Sequence, residues 1–399
     1  MNSQPPPGPF ADRWFLDPTV VFLNHGSFGA TPKVVLEEQT RIQRRIESEP
    51  LQFFDHRYFD ELDEARRELA GFLGARSEDL AFVANATTGV NTVLRSLSLE
   101  PGDELLVTNH EYNACRNALD AVAAGTGARV VVAPIPFPLA HEDQAVETIL
   151  DRFSERTRLL LVDHVTSQTG MVLPVKRLVS EAGARGVDVL VDGAHAPGML
   201  ELDLDGLGAA FYTGNCHKWV CAPKGAGFLH IREDRHEMVR PLVISHGANA
   251  ASTRRSRFHL EHDWTGTRDP SAWLRVPVAI REMGQMLEGG WPELRRHNRE
   301  LVLAGRKLLC DALGIEPPCP DAMIGSLASI PLPDGEGRPL HDLFPFDALQ
   351  EELYDDYRIE VPVIAWPAPP KRLIRISAQL YNRAEQYAYL GSVVRKLVS

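Results

Sequence analysis

Asp192 and Lys218 bound the stretch of this 399-residue chain with the most chemical content. Asp192 ends the apolar run VDVLVDGAH, with His195 three residues further on. Lys218 ends a second apolar run, directly after His217, in GNCHKW. The chain holds only seven lysines against thirty-five arginines, so a lysine set between a histidine and a tryptophan asks for a chemical account. A lysine beside buried or cationic groups loses its proton more easily and becomes an amine nucleophile that forms Schiff bases. A carboxylate ending an apolar strand is costly to bury without a partner. The plain alternatives are a surface lysine after a strand and an Asp192 that N-caps the turn before Gly193.

The elements that must position these residues start near residue 80. Short apolar runs alternate there with helical segments: LAFVAN from Leu80, ELLVTNH from Glu104, ARVVVAPI from Ala128, TRLLLVDHV from Thr157, VDVLVDGAH from Val187, AAFYTGN from Ala209 and GFLHI from Gly227. Near-continuous apolar strands separated by helices predict βαβ units and a mostly parallel seven-stranded sheet sandwiched by helices. The short APKGAG link predicts that the last two strands pair antiparallel. Upstream, apolar periodicity predicts helices over 33–47 and 58–72, and NHGSFGATP a sharp turn. Downstream, a long Ser-, Arg- and His-rich loop over 245–270 has the character of a functional or interface segment. It leads to helices over 271–287 and 291–313, then a strand from Ser326, a helix over 347–357, strands around IEVPVIAW and RLIRIS, and a final helix. The expected organisation is a disordered leader over 1–18, a large α/β domain over 19–275 and a smaller C-terminal α+β domain over 276–399.

In such sheets ligands gather at the strand carboxyl ends. Polar groups fall there repeatedly: Asn85 to Thr88, Asn109-His110, Asp163-His164, Asp192 to His195, and Asn215 to Lys218. Pyridoxal phosphate (PLP) asks a protein for a lysine, an acid for its pyridine nitrogen, donors for its phosphate and a cation for the substrate carboxylate. Lys218 and Asp192 supply the first two. Thr87 and Thr88 open a helix after a strand, where free N–H groups and the helix dipole favour a phosphate. Arg375, in the apolar strand LIRIS, needs an anionic partner.

With these residues in view, the chain resembles the class V, fold-type-I PLP-dependent enzymes, and among them the isopenicillin N epimerases and their relatives. The resemblance runs from LDPTVVFLNHGSFGATP through TNHEY, HVTSQTG, VDGAHAPG, GNCHKW, APKGAGFLH, GTRD and RISAQLYN. It implies Lys218 as the cofactor lysine, Asp192 at the pyridinium nitrogen, His195 at the ring's phenolic oxygen and His110 stacked on the ring. Ala86, Thr87, Thr88 and His217 would serve the phosphate, with Thr267 reaching in from the other subunit of a homodimer. Asn215 stands where many relatives carry a serine, and Thr166 or Ser167 where relatives often carry an asparagine facing the cofactor. Arg375 would bind the substrate carboxylate, with Asn24 and Arg268 at the substrate and no metal.

The implied reaction begins with loss of the Cα proton. Lys218 is the base on one face; Tyr112, His25 and Cys115 are candidates for the other. Epimerisation is the leading expectation, with carbon–sulfur lyase chemistry of the cysteine desulfhydrase type or transamination as alternatives, and a non-catalytic binding module as a remote one. Desulfurase chemistry is disfavoured because no cysteine lies between Ile359 and Arg375. The loop arginines Arg254, Arg255, Arg257 and Arg268 are candidates for a second substrate carboxylate. A net charge of −12 without a basic stripe argues against nucleic acid. Five cysteines without a CxxC pair, no secretory leader and no membrane-length apolar run point to a cytoplasmic enzyme with a small amino-acid substrate.

Overall fold

The computed structural model describes residues 4–251, 254–335 and 347–398. Seven strands build the central sheet: β1 (Leu80–Val83), β2 (Glu104–Thr108), β3 (Arg129–Ala133), β4 (Thr157–Asp163), β5 (Asp188–Gly193), β6 (Phe211–Asn215) and β7 (Gly227–Ile231). Their order is β1-β7-β6-β5-β4-β2-β3. All neighbours are parallel except β7, which runs antiparallel to both β6 and β1, as its short link requires.

The two-residue period of a strand sends alternate side chains to opposite faces. Leu106, Leu160, Val162, Val189 and Val191 enter the larger core, with the Lys33–Ser48 and Tyr58–Leu73 helices. Leu105, Val107, Leu159, Leu161 and Leu190 enter a second core, under the Ala86–Leu94 and Asn113–Thr126 helices. Burial on both faces explains why these runs show no polar alternation in the sequence. The chain returns from β3 to place β4 beside β2, so a crevice opens at the carboxyl ends of β2, β4, β5 and β6.

A smaller antiparallel sheet, ordered β9-β10-β8, holds β8 (Leu327–Leu332), β9 (Val363–Ala365) and β10 (Arg372–Ser377). The Gly290–Leu313 and Ala384–Val398 helices pack together beside it. The single strand expected at IEVPVIAW is two. Ile359–Glu360 pairs in parallel with Val21–Phe22, and Val363–Ala365 joins β10. Pro362 stands between them and has no N–H to continue one ladder.

The leader expected to be disordered is packed in its described part, while residues 1–3 lie outside the described residues. The Gly8 N–H donates to the Tyr381 carbonyl at 2.7 Å. Trp14 is buried, donates to the Ala30 carbonyl at 3.3 Å and meets Tyr381 edge-on at 5.1 Å. Burying one large aromatic ring contributes on the order of several kcal/mol. The prolines lower the ordering cost of the segment, because their backbone is already restricted in the unfolded chain.

Candidate active site at the strand carboxyl ends

Lys218 follows β6, and its Nζ lies 3.0 Å from His195 Nε2. The Trp219 indole N–H donates to His195 Nδ1 at 3.4 Å, so a neutral His195 carries its proton on Nε2 and presents it to Lys218. An amine that accepts this bond must itself be neutral. Burial and then the Arg375 charge lower the Lys218 pKa to about 7, with Asp192 pulling the other way. The same burial, reinforced by Lys218 and Arg375, holds His195 well below its usual range. Two glycines make this packing possible. At Gly198 a Cβ would meet the Trp219 carbonyl carbon at 2.5 Å, and at Gly29 it would meet the His217 carbonyl oxygen at 2.2 Å; both have positive φ.

Asp192 ends β5 beside Asp163 of β4, its partner in register. One Asp192 oxygen accepts from the Ala194 N–H at 2.9 Å and the other from the Cys115 thiol at 3.3 Å. Burial raises its pKa, offset only in part by the Ala194 N–H, the Cys115 thiol and the Lys218 charge, so a further cationic partner would stabilise its ionised form. A pyridinium N–H would be such a partner.

Two asparagines build the start of the Ala86–Leu94 helix, where a phosphate is expected. Asn85 caps the Ala86–Leu94 helix by accepting from the Thr88 N–H at 2.9 Å. Asn215, at the end of β6, accepts from the Ala86 N–H at 2.8 Å through Oδ1 and so ties the helix start to the lysine segment. The position where many relatives place a serine is thus a structural tie in this chain. Among the described residues the Thr87 N–H between these two has no protein acceptor. His217 donates Nδ1–H to the Ala226 carbonyl at 3.0 Å, leaving Nε2 with a lone pair, and burial lowers its pKa to about 4.

Arg375 lies on β10, 3% exposed, with its guanidinium at the same crevice. It donates to the Ser167 carbonyl at 2.5 Å, the Ser167 hydroxyl at 3.3 Å and the Ser27 hydroxyl at 2.8 Å, while its Nε has no partner. Every acceptor is neutral. Desolvation lowers its pKa to about 10. A buried guanidinium without an acid is a receptor for a carboxylate. Ser27 in turn donates to Asn24 Oδ1 at 2.5 Å, which places Asn24 one bond behind the clamp.

Other expected site residues are engaged differently. The Thr166 hydroxyl accepts from the Met171 N–H at 2.9 Å and pairs with the Thr169 hydroxyl at 2.7 Å, so it is spent inside the protein. His110 lies 3.0 Å from the Ile135 carbonyl through Nε2 and 2.8 Å from the Thr169 hydroxyl through Nδ1, and its ring meets Trp366 at 4.7 Å. Burial lowers its pKa to about 4, so it is a neutral, fixed ring. Thr267 is exposed, and Arg268 stacks 3.7 Å over Trp273; neither joins the Lys218–Arg375 cluster within one chain. The expectation of a second-carboxylate reader also changes. Arg255 is paired with Asp63 at 2.5 Å and Asp263 at 3.3 Å, and Arg257 donates to the Gly247 and Ala250 carbonyls. Residues 252–253 of that loop lie outside the described residues.

Sequence reasoning missed Ser27, Trp219 and Glu111. Ser27 and Trp219 sit in stretches that had drawn attention, NHGSFGATP and HKW, yet only the fold shows which neighbour each one touches.

The chain as a whole is matched by known proteins. The aminotransferase class-V model matches residues 22–302, and the chain belongs to that family. It is 37% identical over 398 residues to the isopenicillin N epimerase of Amycolatopsis lactamdurans, covering 96% of each chain. It is 32% identical over 416 residues to a probable chloroplastic L-cysteine desulfhydrase of Arabidopsis thaliana, covering 96% of this chain and 84% of that one. A solved complex of the cystine C-S lyase C-DES with cysteine persulfide shares the fold, with a TM-score of 0.78 at 23% identity over 94% of this chain and 97% of that one.

Proposed function

We propose that this chain is a PLP-dependent enzyme acting at the Cα of an amino acid, with epimerisation as its reaction. The observation that carries this reading is the pairing of a neutral Lys218 amine with an Arg375 that has no acid of its own. The donor set suits the cofactor: a buried lysine, a buried acid whose charge is only partly compensated, and an open helix N-terminus beside His217. When bound, PLP draws electrons from Cα and makes its proton acidic. Arg375 fixes the substrate carboxylate, and that anchoring decides which Cα substituent faces Lys218. Lys218 Nζ takes or returns the proton on its own face.

The opposite face needs a second acid. His25 lies 2.6 Å from the Tyr381 hydroxyl and 3.1 Å from the Lys218 carbonyl, so both its nitrogens are occupied. Cys115 is committed to Asp192. Tyr112 is 42% exposed, and its phenol and Arg375 influence each other's charge, which places it on the approach to the clamp. Tyr112 is our assignment for the second face. A desulfurase is a poorer reading, because all five cysteines are buried and Cys319 is bonded by Arg306. β-Elimination from a cysteine-type substrate is the runner-up, supported by the desulfhydrase relatives.

We also infer a homodimer in a cytoplasmic setting. Thr267 is exposed and Phe28 is 66% exposed, as a surface that a second copy would cover to complete the site. No helix among the described residues is long and apolar enough to cross a membrane.

The first test is optical. Purified protein supplied with PLP should show a visible band that borohydride abolishes, and Lys218→Ala should lack the reducible adduct. A colourless protein would end the enzyme reading. Incubating a panel of L-amino acids in deuterated water then separates the reactions. Racemised product with deuterium at Cα means epimerase, keto acid with released sulfide or thiol means lyase, and dependence on an added keto acid means aminotransferase. Tyr112→Phe should stop racemisation while Cα–H exchange through Lys218 continues.

A further inference from the structure

Behind Asp192 lies a group of acids that the reaction outlined above leaves unused. Glu111 follows the His110 of TNHEY, is 6% exposed, and neither of its carboxyl oxygens has a hydrogen-bond partner. Carboxyl or thiol atoms of Glu111, Cys115 and Asp192 all lie within 4.8 Å of one another. Asp163, 3% exposed and in register with Asp192, leaves its Oδ2 equally unpartnered. The groups facing this cluster are Cys115 and Tyr112 at the start of the Asn113–Thr126 helix, Tyr212 on β6, and Lys218. Only Lys218 among them can carry a positive charge, and with its pKa lowered to about 7 it carries that charge only part of the time near neutral pH. Three buried carboxylates with at most one cation cannot all be ionised. Two carboxylates have no hydrogen to place between them, whereas one proton turns the Glu111–Asp163 approach into an O–H···O bond.

We propose that Glu111 and Asp163 are both held in protonated form, one carboxyl donating a hydrogen bond to the other, so that the cluster's single negative charge resides on Asp192, with Glu111 as a positioning residue for that acid. The charge then matches one pyridinium N–H, and the Ala194 N–H and Cys115 thiol aim the two Asp192 oxygens. Burial, followed by the field of Asp192, pushes Glu111 well above the ordinary carboxylate range, and burial followed by the field of Glu111 does the same for Asp163. This inference rests on the PLP reading for its purpose but not for its physical content.

Two measurements on the full-length protein test it. Infrared spectra at neutral pH should show the carbonyl stretches of two protonated carboxyls; Glu111→Gln and Asp163→Asn should each remove one component and shift the other. No such bands, or bands unchanged in both variants, overturn the protonated pair whether or not the protein takes up PLP. PLP affinity, read from the visible band, is then compared in Glu111→Gln and Glu111→Met, which are close in volume. A neutral hydrogen-bonding role predicts that Gln stays within about threefold of wild type while Met loses about tenfold, one hydrogen bond's worth. Equal losses would mean that an ionised Glu111 matters, and equal retention that only packing does; either result overturns the proposal. A wild type without a visible band refutes the enzyme reading and leaves the infrared test standing.

Discussion

Two buried arginines in this molecule have opposite relations to their surroundings. Arg66, 2% exposed on the Tyr58–Leu73 helix, is bonded to Asp63 at 2.7 Å and Asp263 at 2.5 Å, and Arg255 balances the same two acids. Arg375, 3% exposed, meets only a carbonyl and two hydroxyls. Burial is the same in both cases, but only the first charge is neutralised by the chain. The contrast separates a charge the chain compensates from one it does not, and an uncompensated buried cation weakens the folded state unless something outside the chain pairs with it.

The largest effects should come from removing each arginine. Arg375→Met should cut kcat/KM by roughly 10²-fold or more, as expected for losing one partner of a desolvated charge pair. Its Tm should stay level or rise. Arg66→Met should do the reverse, costing about 3 kcal/mol of stability because it strands buried acid, with activity per folded molecule preserved. Thermal melts and kinetics on the two variants break the comparison if both lose stability or both lose only activity.

The pH dependence is the next largest. PLP capture needs the neutral Lys218 amine, and its pKa is lowered to about 7. The capture rate should therefore rise about tenfold per pH unit below 7 and level off above it. In Arg375→Met the loss of the neighbouring charge should move that midpoint upward. A midpoint that stays near the ordinary lysine value in wild type would contradict the burial argument.

A smaller effect distinguishes the two arginines without mutating either one. A simple carboxylate at a hundredfold excess over its Kd should stabilise the protein by about 2.7 kcal/mol if it pairs with Arg375, and not at all in Arg375→Met. The smallest is Ser27→Ala, which removes one neutral contact to the guanidinium and should raise KM about fivefold with kcat little changed.

Much of this was legible in the sequence, for physical reasons. The seven strands are continuous apolar runs because both faces of the sheet are covered, and polar groups recur at their ends because those ends line a crevice. Lys218, Asp192 and Arg375 were readable because a charged residue in an apolar run always requires a partner. The small domain's edge was less legible, since IEVPVIAW reads as one strand until Pro362 divides it between two sheets. The leader was misread because PPPGPF has no periodicity, while Trp14 found its place only against Tyr381 at the far end of the chain.

The sequence by itself set an acid and a lysine near the carboxyl ends of parallel strands and an arginine in an apolar strand of the small domain. The tertiary structure alone decided which charges stay uncompensated. It set acids beside Arg66 and none beside Arg375, gave Asn215 to the Ala86 N–H, and brought Glu111 and Asp163 behind Asp192. Charge compensation depends on distances of a few ångströms between residues far apart in the chain, and hydrophobic patterning carries no record of those distances.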